Sequence, residues 1–254
     1  MIANTTKTKL NAGSSVYGAF VRYHDATLAE FIALAGWDFL VFDAEHSTLQ
    51  PADVADLARA AELRGVTPLA RVTTNEPSTI LRFLDAGAHG VHVPWVNTAA
   101  EAEQVVRSVK YGPRGVRGLA GNRGADWLAN AETTAAANRE TLVVVQIETA
   151  HAVERIDEFI TIQDIDVLFL GPSDLSHSLG FPGEPGHPTV RAAMEQVAAA
   201  VAGSSKTLGV FVGSPEGVAD WQSLGARYFA TGIEGLLRPA MREFLQAATH
   251  ETEG

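Results

Sequence analysis

Leu142-Val143-Val144-Val145-Gln146-Ile147-Glu148 and, further on, Val167-Leu168-Phe169-Leu170-Gly171-Pro172-Ser173-Asp174 decide the reading of this chain. Each opens as a short apolar run rich in β-branched residues and closes on a polar turn, the pattern of a buried strand. Residues 150–160 between them are patterned as a helix. A strand, a helix and a second strand imply a crossover that makes the two strands parallel. As parallel neighbours they would deliver Glu148 and Asp174 to the same end of the sheet. Two carboxylates there could grip one divalent cation, and the Gly-Pro turn would bare a backbone amide beside them.

The same alternation extends through the chain. Strands are expected at 16–20, 38–42, 67–71, 90–93, 142–147, 166–170, 208–212 and 227–231, and helices at 26–35, 51–64, 77–86, 98–110, 150–160, 188–203, 215–224 and 233–247. Pro51, Pro77 and Pro215 fall in first helical turns, where their missing N–H costs nothing. Gly36, Gly65, Gly87 and Gly225 follow helix ends, where a left-handed residue stops the helix. Eight β-α units imply a parallel sheet, and eight is the number that closes a (β/α)8 TIM barrel. A doubly wound sheet is the alternative, but no glycine-rich phosphate loop follows the first strand. Residues 1–15 read as an N-terminal tail, 16–247 as one catalytic barrel and 248–254 as a C-terminal tail. Residues 112–138 form a long insertion between the fourth helix and the fifth strand, with five glycines from Gly112 to Gly124, Arg114, Arg117, Arg123 and Trp127.

Length and composition bound the function. A chain of 254 residues suits one large domain with a sizeable core. A formal charge of −11 argues against nucleic acid or an anionic membrane as partner. With no cysteine, disulfides, thiolate metal sites and cysteine nucleophiles are excluded. Residues 1–15 lack the apolar segment of a signal peptide, and no apolar run reaches membrane-spanning length. The expectation is a cytoplasmic protein.

In a barrel of this kind the chemistry sits at the carboxyl ends of the strands. Phe20 stands there on strand one, Asp43-Ala44-Glu45-His46 on strand two, Arg71 on three, Pro94-Trp95 on four, Glu148 on five, Gly171 to Asp174 on six and Val212 on seven. Glu148 or Asp174 alone could be a helix cap; together on adjacent strand ends they favour a metal. An all-oxygen donor set suits Mg²⁺, Mn²⁺ or Co²⁺ better than zinc. His46 is either a solvated loop histidine or, on this rim, a general base suited to neutral pH. Arg71 is either paired with Asp43 or Glu45 or a donor to a developing oxyanion. His92, inside strand four, belongs to the core or supports the site from behind. The four lysines, Lys7, Lys9, Lys110 and Lys206, all lie away from the rim. Schiff-base chemistry would need one there, so carbonyl chemistry has to use metal.

Taken in order, Asp43-Ala44-Glu45-His46, Arg71, Leu84-Asp85-Ala86-Gly87-Ala88, Val93-Pro94, Gly115-Val116-Arg117-Gly118, Gln146-Ile147-Glu148 and Gly171-Pro172-Ser173-Asp174-Leu175-Ser176 resemble the HpcH/HpaI-type family. These are metal-dependent (class II) pyruvate aldolases, such as 4-hydroxy-2-oxoheptanedioate aldolase and 2-keto-3-deoxy-sugar-acid aldolases, and the resemblance spans roughly 16–245. It implies retro-aldol cleavage of a 4-hydroxy-2-oxo acid to pyruvate and an aldehyde. It also implies a metal on Glu148 and Asp174, and pyruvate positioned by Gln146 and the amide of Ser173. Arg71 would stabilise the enolate and His46 would take the C4 hydroxyl proton. Asp85 would raise the basicity of His46, but it ends a helix at the opposite face; it would have to come from an adjacent subunit, or the helix boundary lies elsewhere, or it is a surface acid at a helix end. Helix eight would pack on a neighbouring subunit of a hexamer.

Phe20 and Val212, with Gly171, Pro172, Ser173 and Asp174, are expected to line the substrate pocket, and the 112–138 loop to wall its aldehyde side. Phe20 stands where the family commonly has tryptophan, so the aldehyde is the open part of the reading. Alternatives are a lyase acting on acyl-CoA thioesters, with Arg107, Arg114, Arg117 and Arg123 either on the CoA phosphates or simply a solvated basic face, or an oxaloacetate decarboxylase. A barrel that only binds 2-oxo acids is a further alternative.

Overall fold

The computed structural model describes residues 3–250 and is a closed barrel of eight parallel strands in chain order. They are β1 (Val16–Val21), β2 (Phe39–Asp43), β3 (Thr67–Arg71), β4 (Gly90–Val93), β5 (Leu142–Ile147), β6 (Val167–Leu170), β7 (Thr207–Phe211) and β8 (Ala226–Gly232). All eight lie where the apolar runs placed them. β1 pairs with β8, with Phe20 opposite Gly232, and so closes the ring.

The helices are α1 (Thr5–Asn11), α2 (Ala26–Ala33), α3 (Pro51–Glu62), α4 (Pro77–Ala86), α5 (Ala99–Val109), α6 (Ala131–Glu140), α7 (Ala150–Glu154), α8 (Ile156–Phe159), α9 (Pro172–Ser178), α10 (Pro188–Val201), α11 (Pro215–Ser223) and α12 (Ile233–His250). The expected helix at 150–160 is two short helices that break at Arg155.

Alternation along each strand divides the core in two. Val16, Phe20, Phe39, Val41, Leu69, Leu142, Val144, Val167, Phe169 and Tyr228 fill the barrel interior. The residues that alternate with them, such as Leu40, Phe42, Val143, Val145, Leu168 and Leu170, face the helices. Gly18 belongs to the inner set, and a Cβ there would fall 2.2 Å from the Phe39 ring. Followed upward, the inner parity delivers Asp43, Arg71, Gln146 and Glu148 to the mouth.

Three expectations about the outer parts need correction. Residues 1–15 are no tail, since α1 closes the amino end of the barrel. Asn4 caps α1 and donates 3.1 Å to the His89 carbonyl, Thr6 bonds to Thr67, and Leu10 enters the interior core. The 112–138 insertion is no wall of its own barrel's carboxyl-end pocket. It joins α5 to β5, and both meet at the amino end. Arg123 pairs there with Glu62, which also holds His89 at 2.9 Å. The expected C-terminal tail at 248–254 begins within α12, which runs through His250; residues 251–254 lie outside the described residues. Beyond its first turn α12 is exposed, with Leu237, Met241, Phe244 and Leu245 uncovered.

Candidate active site

A cavity of about 160 Å³ opens at the carboxyl end of the strands. Phe20, Asp43, His46, Arg71, Gln146, Glu148 and the Gly171–Asp174 turn all line it, together with Arg22, Phe169 and Phe211. Residues far apart in the chain thus meet because their strands share one inner parity.

Glu148 is fully buried. Its Oε1 accepts from the Trp95 amide at 2.7 Å and its Oε2 from the Gln146 amide nitrogen at 2.6 Å. Neither Glu148 nor Asp174 serves as a helix cap, because Thr149 caps α7 and α9 begins after Gly171. Burial pushes the Glu148 carboxyl up to about 7, and the nearby charges of Glu45 and Asp174 add to the effect. A carboxylate held so unfavourably, with a second one within electrostatic reach, fits a divalent cation, which would relieve both penalties. Gln146 Oε1, a buried acceptor without a donor, points to the same need. The donors are all oxygen, as Mg²⁺ or Mn²⁺ prefers. Among the described residues no third acid or histidine joins the pair, which leaves further coordination positions to water and substrate. Gly171 keeps this corner open, since a Cβ there would lie 3.0 Å from Glu148 Oε2.

Arg71 and Asp43 face each other in register on β3 and β2. Arg71 donates from Nε to Asp43 Oδ1 at 2.8 Å and from Nη2 to Oδ2 at 2.6 Å, with Glu45 Oε2 3.3 Å from Nε. Burial works against the Asp43 charge, but the bonded guanidinium still holds its carboxyl below the usual range. The ion pair and the donor role are compatible, because the fork uses two of five N–H groups and leaves others for the cavity. Arg71 also stacks over Phe20, 4.7 Å from the ring centre.

His46 stands half-exposed at the mouth, its Nε2 3.8 Å from Glu45 Oε2. Burial raises the Glu45 carboxyl above its ordinary value, against the pull of Arg71 and His46. His92 is a core residue as expected. Burial drops its imidazole to about 3, so it stays neutral, and Nε2 lies 2.6 Å from the Tyr228 hydroxyl.

Two expected site residues are elsewhere. Asp85 lies at the amino end of its own barrel, accepting at 2.8 Å from Arg117, whose guanidinium is buried over Tyr111. Val212 faces outward into an apolar groove beside Tyr17, Trp37 and Val218, and Phe211 takes the cavity position. The expected end of strand seven was one residue too late, and one residue reverses the face. Two site residues drew no role from the sequence, although Trp95 was already placed on the rim. Trp95 holds a left-handed φ of 56°, a conformation that costs roughly 1–3 kcal/mol and aims its N–H at Glu148. Its indole donates to Glu45 at 3.0 Å, tying the two acids together. Arg22 has the parity of Phe20, legible only once β1 is known to enter the barrel.

Comparison with known proteins gives a consistent result. The model of the family "HpcH/HpaI aldolase/citrate lyase" matches residues 16–238. A pyruvate aldolase of Rhizobium etli is 35% identical over 245 residues, covering 96% of both chains. A 4-hydroxy-2-oxo-heptane-1,7-dioate aldolase of Escherichia coli is 32% identical over 246 residues, 96% of this chain and 94% of that one. Among solved structures, an HpcH/HpaI aldolase/citrate lyase family protein of Burkholderia cenocepacia superposes with a TM-score of 0.91 at 32% identity, covering 97% and 99% of the two chains.

Proposed function

The chain belongs to the HpcH/HpaI aldolase/citrate lyase family, and on that premise we propose that it is a metal-dependent lyase that cleaves 4-hydroxy-2-oxo acids reversibly to pyruvate and an aldehyde. One observation carries the reading: the buried Glu148 carboxyl, beside Asp174, faces Arg71 and His46 across a small cavity. No lysine lines that cavity.

Glu148 and Asp174 would hold the divalent cation, with Mg²⁺, Mn²⁺ and Co²⁺ the candidates. When bound, the cation supplies Lewis acidity to the keto and carboxylate oxygens of the 2-oxo acid. Gln146, through its free Oε1 and its amide, and the Ser173 N–H orient that end of the substrate. His46 accepts the C4 hydroxyl proton, and electrons from the breaking C3–C4 bond pass into the pyruvate fragment. Arg71 donates to the enolate oxygen so produced, from N–H groups that Asp43 has already oriented. Asp43, tied to Arg71, keeps that guanidinium from swinging toward Glu148.

Asp85 cannot serve His46 within one chain, because the barrel separates them. Its role would be in trans, with the amino-end patch of Asp85 and Arg117 docked on a neighbour's mouth. The exposed apolar face of α12 supports a homo-oligomer, as does an apolar groove of about 330 Å³ lined by Tyr17, Trp37, Val212, Val218, Phe229 and Leu236. A hexamer with α12 seated on a neighbour follows the resemblance. Among the described residues no helix is long and apolar enough to cross a membrane. Together with the lack of cysteine and the acidic charge, this supports the cytoplasmic reading, without nucleic acid as partner.

The acyl-CoA reading keeps only one of its four arginines, Arg107. Arg114 is taken by Glu103 and Asp164, Arg117 by Asp85 and Arg123 by Glu62. The decisive assay offers the metal-loaded enzyme a 4-hydroxy-2-oxo acid and, separately, a malyl thioester. Cleavage of the first, lost on chelation, is expected; cleavage of the thioester alone would overturn the reading.

A further inference from the structure

A second guanidinium stands at the mouth, outside the roles assigned above. Arg22 follows β1 directly, shares the inward parity of Val16, Gly18 and Phe20, and lines the same cavity as His46. It is held quite differently from Arg71. Its Nε lies 3.4 Å from Glu234 Oε1 and 3.8 Å from Asp43 Oδ2, and its side chain is 43% exposed. Among the described residues its guanidinium makes ion pairs but no hydrogen bond. Glu234, in the first turn of α12, is equally incomplete, with Oε2 buried and without a partner. The charge is thus neutralised while the donor fork stays open.

Strand order says what part of a substrate would reach this fork. In a ring closed β1 to β8, β1 lies across from β5. A 2-oxo acid anchored at Glu148 and Asp174 would then extend from β5 and β6 across the cavity, past His46 on the β2 side. The fragment beyond C4, the departing aldehyde, would end toward Phe20, Phe211 and Arg22, which line the same cavity. Two of these offer only a ring face. The third is a planar cation with paired N–H groups, the shape that matches a carboxylate in two-point contact. At about 160 Å³ the cavity is well below that of a drug-sized ligand, which limits the fragment to a short chain.

We propose that Arg22 determines acceptor specificity by binding a terminal carboxylate on a short aldehyde. Glu234 is its resting counter-ion and competes with that carboxylate. The inference rests on the aldolase reading and adds the residue that selects the second substrate.

The test uses the full-length, metal-loaded enzyme, pyruvate, and two aldehydes of equal length, 4-oxobutanoate and the neutral 4-oxobutanamide. The quantity read is the ratio of their kcat/KM values. Arg22→Gln should lower that ratio roughly 10- to 100-fold, the range for a lost hydrogen bond to a charged group, with most of the change in KM for 4-oxobutanoate. Arg22→Lys should keep part of the preference, through charge without the fork. Glu234→Gln should raise the ratio a few-fold (about 3-fold), because the competing anion is gone. A ratio unmoved by Arg22→Gln and Glu234→Gln, with the neutral aldehyde still condensing with pyruvate, overturns the inference and leaves the aldolase standing. Failure of the native enzyme to condense pyruvate with either aldehyde overturns both.

Discussion

At the amino end of the barrel, around β5 to β7, three lysines are drawn into contact with backbone carbonyls. Lys110 donates to Asn138 and Thr141, Lys206 to Ile162 and Ile165, and Lys7 to Thr141 and Asp166. At the carboxyl end the polar groups are left wanting. Among the described residues Gln146 Oε1 has no donor and Arg22 no hydrogen bond, and Glu148 is pushed up to about 7. In a fold whose two ends are built from the same strands, this contrast marks the end that carries the chemistry. Saturated buried charge holds loops to the barrel, whereas unsaturated buried charge awaits a ligand. The amino end has exceptions of its own. Among the described residues His89 Nδ1, Tyr111 Oη and Arg117 Nε are buried without hydrogen-bond partners, all close to Asp85 in sequence or contact. That patch is the part proposed to complete a neighbour's site.

The contrast can be broken or sharpened by mutation. The largest effect is expected at Arg71. Arg71→Ala should lower kcat roughly 10²- to 10³-fold, as for other lost oxyanion donors, with a smaller change in KM for the 2-oxo acid. A loss seen only in KM would reduce Arg71 to a binding group.

Metal affinity should then fall as pH falls. Burial raises the Glu148 carboxyl to about 7, so below that pH the metal-free chain holds a proton that the cation must expel. The apparent affinity should rise with pH up to about 7 and level off above it, changing about 10-fold per unit in the lower range. Calorimetry in buffers of different ionisation enthalpy measures the released proton. Flat affinity from pH 5 to 8 would show that Glu148 is not a ligand.

Asp85 tests the exceptions at the amino end. Mixing inactive Glu148→Ala and Asp85→Ala chains after dissociation and reassembly should restore activity in about a quarter of the sites, if Asp85 acts across subunits of a two-fold pair. No recovery from correctly assembled mixtures would return Asp85 to a structural partner of Arg117.

The smallest change is expected where charge is saturated. Lys206→Met leaves two buried carbonyls without a donor and should cost about 1–3 kcal/mol of stability in urea unfolding, with kcat per folded molecule unaltered. A loss of kcat from this far end would blur the division between the two ends.

Much of this was legible in the sequence, for identifiable reasons. The strands announce themselves because a barrel buries both faces, so Val143 and Val144 are equally apolar although one faces helices and the other the interior. The metal pair is legible because Glu148 and Asp174 interrupt such runs at matching ends. Features that depend on a single residue of register were not legible. Val212 for Phe211 is one such slip, and Arg22 reads as a loop residue until its parity is known. α1 is polar and buries little beyond Thr6 and Leu10, so its seven residues carry no helical stripe. The insertion around Arg123 looked like a pocket wall because glycine and arginine suit one. Its position between a helix and the next strand already sends it to the amino end.

The central claim is that Glu148 and Asp174 hold a cation that makes the methyl group of pyruvate acidic. Proton NMR of pyruvate with the enzyme in deuterated water, without any aldehyde, tests it most directly. The account predicts exchange of the methyl protons that requires Mg²⁺, Mn²⁺ or Co²⁺, stops on chelation and is absent in Glu148→Ala. Exchange that survives both chelation and Glu148→Ala would contradict it.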